Sequence, residues 1–413
     1  MGLLARHATS LVQSALADTP VVFIGGPRQA GKSTLVQQLL DDTRPLTYVT
    51  LDDPTTAAFA NRDPAAFVRQ GEEGTLAIDE IQREPALLRT IKAEVDHDRR
   101  PGRFLLTGSA RVFSLPQVTE SLAGRIETVA LWPLSQAEWE GVLSPSLIDR
   151  LFDGKGPAQV DGGTRAKLFS RLAAGGYPEA MGRLNDVRRR AWFTSYTNAL
   201  LQRDVRDLAS IEGIRQLPDL LRLLSARSGG LLNVASLASD AQLSRTTASR
   251  YLTLLEQLYV IQRVAAWTPS LQTRLVKSPK VTVVDSGLAL ASSGIDGKRL
   301  LASPELSGGY VEAFVANELM RTAATSQTQP VVLHFRTHSG QEVDLVLEAP
   351  DGRIVAIEVK VTETVRNRDV AGLTHLRDLL GDRFIGGMVL HLADRPKSAG
   401  DRLYRAPFDV LWS

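Results

Sequence analysis

Eight residues near the start of the chain, Gly26-Pro27-Arg28-Gln29-Ala30-Gly31-Lys32-Ser33, match G-x-x-x-x-G-K-[ST] at every fixed position. Glycines let the backbone curl so that successive N–H groups face one anion at a helix N-terminus. A lysine at this spacing reaches the β- and γ-phosphates of a nucleotide, and the hydroxyl after it can ligate Mg²⁺. A Gly-rich turn before an ordinary helix is the bland alternative. The flanks argue against it, because the apolar run Val21-Val22-Phe23-Ile24 precedes the loop and Leu35-Val36-Gln37-Gln38-Leu39-Leu40 follows. That is the strand, loop and helix context the motif requires. Gly26 through Thr34 are therefore expected to bind a nucleoside triphosphate, with Lys32 and Ser33 doing the chemistry.

Partners for that loop lie downstream. Asp79-Glu80 closes the apolar run Thr75-Leu76-Ala77-Ile78, and open α/β sheets hold their ligands at the carboxyl ends of strands. Asp79 is expected to hold Mg²⁺, and Glu80 to orient and polarise the attacking water. Thr107 and Ser109, in Thr107-Gly108-Ser109-Ala110, offer hydroxyls to the γ-phosphate or the water. Equally, they suit a β-branched strand position and a turn. Arg111 and Arg125 are candidates to neutralise charge developing on the phosphoryl group, in cis or from a neighbouring copy.

A second group of charges lies near the C-terminus. Glu342 to Glu348 and Ile354 to Lys360 read as a hairpin around Pro350-Asp351-Gly352. Asp351 is equidistant from Asp344 and Glu358, so these two face each other across the hairpin. Glu358 and Lys360 share a strand face because side chains alternate. Two carboxylates can bind Mg²⁺, and the ammonium can position or deprotonate water. Glu312 and Glu318, on a helix spanning Tyr310 to Arg321, could each join them. A solvent-facing edge hairpin with a salt bridge is the competing reading.

The elements that must position these groups follow from pattern. Runs at 46–51, 75–78, 103–107 and 127–131 are almost wholly apolar, as strands of a parallel sheet covered on both faces are. From Trp132 to Ile211 the pattern turns helical, broken by a loop from Phe152 to Gly163, and Arg188 to Ser210 reads as one long helix. Leu217, Leu220, Leu221 and Leu224 then mark a helix, Asn233 caps a second, and Leu243-Ser244 introduces a third from Arg245 to Leu255. Helix, helix, short turn and polar-fronted helix form the pattern of helix-turn-helix proteins. Ser244, Arg245, Thr246, Arg250 and Tyr251 would be its exposed contacts. Val260–Val264 and Lys280–Val284 would be wing strands with Arg274 and Lys277 at the tip.

Composition sets the outer bounds. A hydrophobic content of 43% and a charged content of 23% over 413 residues describe an ordinary globular chain of two or three domains. The formal net charge is +2, yet residues 215–280 hold nine basic and three acidic residues, a local +6. A basic module on a nearly neutral protein suits DNA, although such a module can also serve interactions between proteins or domains. The absence of cysteine excludes disulfides, thiolate zinc sites and cysteine nucleophiles. No apolar run is long enough to span a bilayer and no signal-peptide core is present, so a cytoplasmic setting without membrane association is expected.

Taken in order, Gly-Pro-Arg-Gln-Ala-Gly-Lys-Ser, Ile-Asp-Glu-Ile-Gln, Leu-Thr-Gly-Ser, Leu-Ala-Gly-Arg and Gly-Gly-Tyr-Pro-Glu resemble a group of prokaryotic AAA-family ATPases. These carry a C-terminal domain of unknown function related to PD-(D/E)XK nucleases. Glu312, Asp344, Glu358 and Lys360 match the nuclease pattern of helix glutamate, Asp and Glu-x-Lys. Val343-Asp344 stands where Pro-Asp is usual, and members of that fold can be catalytically dead. The resemblance implies ATP hydrolysis. The expected fold is α/β: a P-loop NTPase parallel-sheet domain over 1–140, a helical lid over 141–212, a winged helix-turn-helix over 213–290 and a restriction-endonuclease-like domain over 291–413. One functional expectation is an ATPase coupled to DNA with a metal-dependent nuclease. The other is a regulatory ATPase whose last two domains bind DNA or protein without cutting. Both leave room for a homo-oligomer.

Overall fold

Five short strands build the first sheet: β1 (Val21–Gly25), β2 (Leu46–Thr50), β3 (Thr75–Asp79), β4 (Phe104–Gly108) and β5 (Ile126–Ala130). Every residue of β1, β3 and β4 is buried, whereas β2 and β5 are partly exposed. The strand order β2-β3-β4-β1-β5 explains the difference, since the two exposed strands are the edges. All pairings are parallel, so the carboxyl ends of β1, β3 and β4 lie along one rim. Helices α1 (Ala8–Asp18), α2 (Lys32–Leu39) and α3 (Leu87–His97) bury apolar stripes in the same unit. The computed structural model describes residues 3–39, 45–71, 74–109, 122–144, 146–201, 216–337 and 339–413. By packing the chain divides into two units: residues 5–133 with 255–260, and residues 1–4, 134–254 and 261–413.

The second unit begins with helices, among them α4 (Arg165–Ala174), α5 (Asp186–Ala199), α6 (Leu217–Ala226) and α7 (Val234–Asp240). The expected loop between Phe152 and Gly163 is free of helix and strand. Of the long helix expected from Arg188 to Ser210, α5 is the described part, and residues 202–210 lie outside the described residues. Leu217, Leu220, Leu221 and Leu224 of α6 are all buried, and the Asn233 side chain accepts the Ser236 N–H to cap α7. Helix α8 (Arg245–Gln257) follows. Its last residues belong to the first unit.

Strands β6 (Ile261–Val264) and β7 (Lys280–Val283) then pair antiparallel, with Ile261 opposite Val283. Their connection departs from the expected projecting tip. Residues 271–276 are helical. The Arg274 guanidinium pairs with Glu348, donates to the Thr268 carbonyl at 2.7 Å and lies 5.5 Å from the Trp267 ring. Lys277 donates to the Arg336 carbonyl at 3.0 Å. Opposite charge and an aromatic face draw the segment onto the C-terminal sheet, which removes both residues from a free tip.

Helix α9 (Pro304–Ala323) precedes β8 (Val331–Arg336), β9 (Glu342–Glu348) and β10 (Ile354–Val359). Helix α10 (Asn367–Leu380), β11 (Phe384–His391), β12 (Lys397–Gly400) and β13 (Leu403–Pro407) complete the chain. The strands form a six-stranded mixed sheet in the order β12-β13-β11-β10-β9-β8. The β9–β10 hairpin pairs Ile357 with Leu345 and Ile354 with Glu348, the register expected from a turn centred on Asp351. A crossover through α10 makes β11 parallel to β10. Among the described residues no helix is long and apolar enough to cross a membrane.

Trp267 anchors this sheet's core beside Phe335, Val343, Val346 and Leu373, is fully buried, and donates its indole N–H to Glu348 at 3.1 Å. Trp267→Ala should therefore cost about 3–5 kcal/mol. The measurement is a thermal melt followed by near-UV circular dichroism, and an unchanged midpoint would contradict the packing described.

Candidate active site

Three hydroxyls converge on the Asp79 carboxylate. The Ser33 hydroxyl donates to it at 2.9 Å, the Tyr48 phenol donates at 3.0 Å, and the Thr107 hydroxyl also donates to it. These donors come from the start of α2, from β2 and from β4, so the parallel rim brings together residues far apart in sequence. Burial, followed by the charge of Asp79, pushes the Tyr48 phenol up to about 12, so it stays protonated and donates.

The loop itself has the geometry an anion cradle needs. Gly31 lies at φ +98° and Gln29 at φ +59°, both in the left-handed region. At Gly26 a Cβ would stand 2.1 Å from the Leu131 carbonyl oxygen, which leaves glycine as the residue that fits. Lys32 is buried and donates to the Gly26 and Pro27 carbonyls at 3.0 Å each. Pro27 and Ala30 are buried, Arg28, Gly31 and Ser33 half-buried, and Gln29 and Thr34 exposed. A hydroxyl and a carboxylate in contact, beside a lysine folded over a glycine loop, suit Mg²⁺ and a polyphosphate. Ser33 and Asp79 would hold the ion.

Glu80 follows Asp79 with φ 58° and ψ 46°, a left-handed backbone that costs a non-glycine residue about 1–3 kcal/mol. Its N–H donates to Thr107 Oγ1 at 3.1 Å. Gln82 donates to the Glu80 carboxylate and also to Ser109 Oγ at 3.0 Å. Thr107 thus contacts both acids, while Ser109 belongs to the group that orients Glu80.

Sequence reasoning missed several participants. Arg6 donates to the Ala30 carbonyl at 2.7 Å and to the Trp132 carbonyl at 2.6 Å, clamping the phosphate loop from α1's approach. Tyr259, at φ +55°, packs edge-on to Trp132 with ring centroids 5.5 Å apart. Its hydroxyl lies so close to Gly25 that a Cβ there would stand 2.3 Å away. Tyr48 was missed as well, since it is one of three polar residues in β2, beside Thr47 and Thr50, and nothing local sets it apart.

One expectation, Arg125 acting in cis, fails. Arg125 precedes β5, and its carbonyl accepts the N–H of Val21, the first residue of β1. It therefore sits at the amino rim, about five residues or 16 Å along the strand from the phosphate loop. Its guanidinium pairs with Asp96 at 2.5 Å. Sheet direction keeps it from its own chain's nucleotide. Arg111 lies outside the described residues.

In the second unit, Glu312, Asp344, Glu358 and Lys360 do come together, with an unexpected fifth member, Lys280 of β7. The Lys280 ammonium lies 2.5 Å from Glu312 and 3.7 Å from Asp344. Lys360 lies 2.5 Å from Glu358 and 3.9 Å from Asp344. Asp344 also accepts the Val359 N–H at 2.9 Å, and Glu358 accepts the Asp344 N–H at 3.4 Å. Burial and then Asp344 push both Glu312 and Glu358 up to about 7. Burial opposes the charge of Lys280, but Glu312 and Asp344 outweigh it and raise its pKa. The carboxylates of this cluster are paired with two ammonium groups and two backbone N–H groups rather than left open to a cation, so the cluster does not fit the expected Mg²⁺. Glu318 is no part of it, being fully buried against Arg321 at 2.7 Å and accepting the Gln136 N–H at 2.7 Å.

On α8, Arg245, Thr246 and Arg250 are exposed. Ser244 is exposed as well, whereas Tyr251 is not. Tyr251 is buried, on the face of α8 that carries Leu252 and Leu255, and Ser244 caps the helix by accepting the Thr247 N–H at 3.0 Å.

Residues 18–140 match the AAA domain family. Residues 165–299 and 307–410 match two domains of unknown function, DUF8612 and DUF4143. Uncharacterized proteins of Mycobacterium bovis and Mycobacterium tuberculosis are each 31% identical over 363 residues, 87% of this chain and 74% of theirs. Among solved structures, a signal transduction ATPase with numerous domains from Pyrococcus horikoshii is 11% identical over 78% of this chain and 47% of its own, at a TM-score of 0.22. A DNA polymerase III gamma subunit-related protein from Thermotoga maritima is 12% identical over 60% of this chain and 97% of its own, at 0.24. Neither score carries an argument.

A buried hydrogen bond to a charged group is worth about 1.5–3 kcal/mol. Thr107→Val should accordingly lower nucleotide turnover roughly 10- to 100-fold with nucleotide affinity largely kept. Steady-state hydrolysis and fluorescent-nucleotide titration check both. Arg125→Ala should leave turnover of dilute protein unchanged.

Proposed function

This chain belongs to the family of the two mycobacterial proteins, and from that premise we propose that it hydrolyses ATP and acts on DNA. It carries an AAA-type P-loop ATPase domain within residues 18–140. The observation that supports hydrolysis is the pairing of the Ser33–Asp79 contact with Glu80, held next to it by Thr107 and Gln82. Backbone N–H groups of 28–34 bind the phosphates, and Lys32 exchanges its loop carbonyls for phosphate oxygens. Mg²⁺, when bound, withdraws charge from the phosphoryl oxygens. Glu80 accepts a hydrogen bond from the attacking water and aims it, while Gln82 and Ser109 fix the direction of its carboxylate. Tyr48 and Thr107 hold the Asp79 carboxylate in place.

The domain order 1–140, 141–212, 213–290 and 291–413 remains our reading of the chain. Three helices followed by the β6–β7 ribbon support a winged helix, and the exposed Arg245, Thr246 and Arg250 support contact with the DNA backbone or bases. The β9–β10 hairpin, the crossover to β11 and Glu312 on α9 support a nuclease-like last domain. Of the two outcomes, cutting or regulatory binding, the pairing of its carboxylates with Lys280 and Lys360 favours binding without cleavage.

Glu80→Gln should lower ATP turnover roughly 10²- to 10⁴-fold while nucleotide still binds. Lys32→Ala should lose both. Unchanged hydrolysis in the pair would remove the assigned site. For DNA, Arg245→Glu/Arg250→Glu should weaken binding and flatten the slope of log affinity against log salt by about two. Fluorescence anisotropy across a salt series reads it, and an unaltered slope would move this domain to an interaction role.

A further inference from the structure

Lys280 comes from a ribbon that pattern alone assigns to a wing, yet its ammonium lies inside the carboxylate cluster of the C-terminal sheet. The residue is 8% exposed. Its backbone is fixed on both sides, opposite Val264 in the ribbon and in a bridge with Leu231. Beyond the ion pairs with Glu312 and Asp344, its ammonium lies 3.5 Å from the Asp344 carbonyl oxygen. Both oxygens of Asp344, both of Glu358 and one of Glu312 therefore already face a protein ammonium or N–H.

A divalent ion needs several such oxygens at about 2.0–2.6 Å. It would have to displace these donors while an ammonium repels it across a few ångströms. An ammonium on a short leash of four carbons, with a fixed backbone, supplies positive charge to buried carboxylates without any ion from solution. Removing one partner of such a buried pair leaves an uncompensated charge, which is the most costly way to change the site.

We propose that Lys280 is the resident cation of this cluster, standing where a nuclease of the same residue pattern would hold its metal and keeping the site metal-free. The proposal rests on the nuclease-like reading of the last domain. It assigns the β6–β7 ribbon a second role: besides flanking α8, it delivers the cation that closes the carboxylate site. Lys360 alone then balances Glu358, as the Glu-x-Lys spacing allows. The chemical consequence is specific. Without Lys280 the same three carboxylates become an all-oxygen site for a hard divalent cation.

The test titrates Mn²⁺ into the nucleotide-free 413-residue chain and follows the free ion by electron paramagnetic resonance. Only binding that depends on Asp344 is counted, which sets aside any ion at the phosphate loop. Wild type and Asp344→Asn should give the same titration. Lys280→Met should gain roughly one Mn²⁺ per chain at about millimolar or lower concentration, and Lys280→Met/Asp344→Asn should lose it. Lys280→Met/Glu312→Gln removes both halves of the buried pair and, if the single variant misfolds, should gain a weaker Asp344-dependent site built on the two remaining carboxylates. Asp344-dependent Mn²⁺ binding in the wild type would overturn the proposal while upholding the nuclease-like reading. Folded Lys280 variants with no added site would overturn that reading and the proposal together.

Discussion

One carboxylate, Asp79, accepts hydrogen bonds from three hydroxyls, and the candidate nucleotide site depends on that convergence. Ser33 reaches it from the helix after β1, Tyr48 from β2 and Thr107 from β4. The convergence needs every strand to run the same way, because only then do their carboxyl ends share a rim. Buried strands in the middle of the sheet make that arrangement stable, since every residue of β1, β3 and β4 is removed from solvent. The same direction excludes Arg125, whose place before β5 puts it on the opposite rim.

Two acidic sites in one chain solve the problem of burial in opposite ways. Around Asp79 the donors are neutral hydroxyls, so no protein cation among them compensates the carboxylate. Around Asp344 the donors include two ammoniums, so three carboxylates are compensated within the protein. Burial and mutual repulsion raise Glu312 and Glu358 to about 7, and the attraction of the acids raises the lysines. A motif of acids at suitable spacing therefore says where charge gathers, while the sign of its nearest neighbours says whether a metal is wanted.

The phosphate loop, the five strands and the β9–β10 register were all legible in the sequence because each rests on local pattern. Apolar runs of strand length, glycines at fixed spacing, and a turn centred on Asp351 are properties of neighbouring residues. What was not legible came from contacts across long separations. Arg6 meets Ala30 and Trp132, Tyr259 meets Trp132, and Lys280 meets Glu312 and Asp344. Nothing in the spacing of Arg274 announces Glu348, which is why a basic loop read as a wing tip instead lies folded against β9.

By itself the sequence determined which residues could carry phosphate chemistry, which runs would be strands, and that Asp344 and Glu358 would face each other. Periodicity and motif spacing encode these, since side-chain direction repeats every two residues in a strand and backbone curl follows glycine. Tertiary structure alone decided which charges compensate one another. It put Thr107 and Ser109 beside the acids, took Arg125 away from the phosphates, buried Tyr251, and set Lys280 among the carboxylates. The reason is that electrostatic and hydrogen-bond energies depend on distance in space, and separation along the chain does not report it.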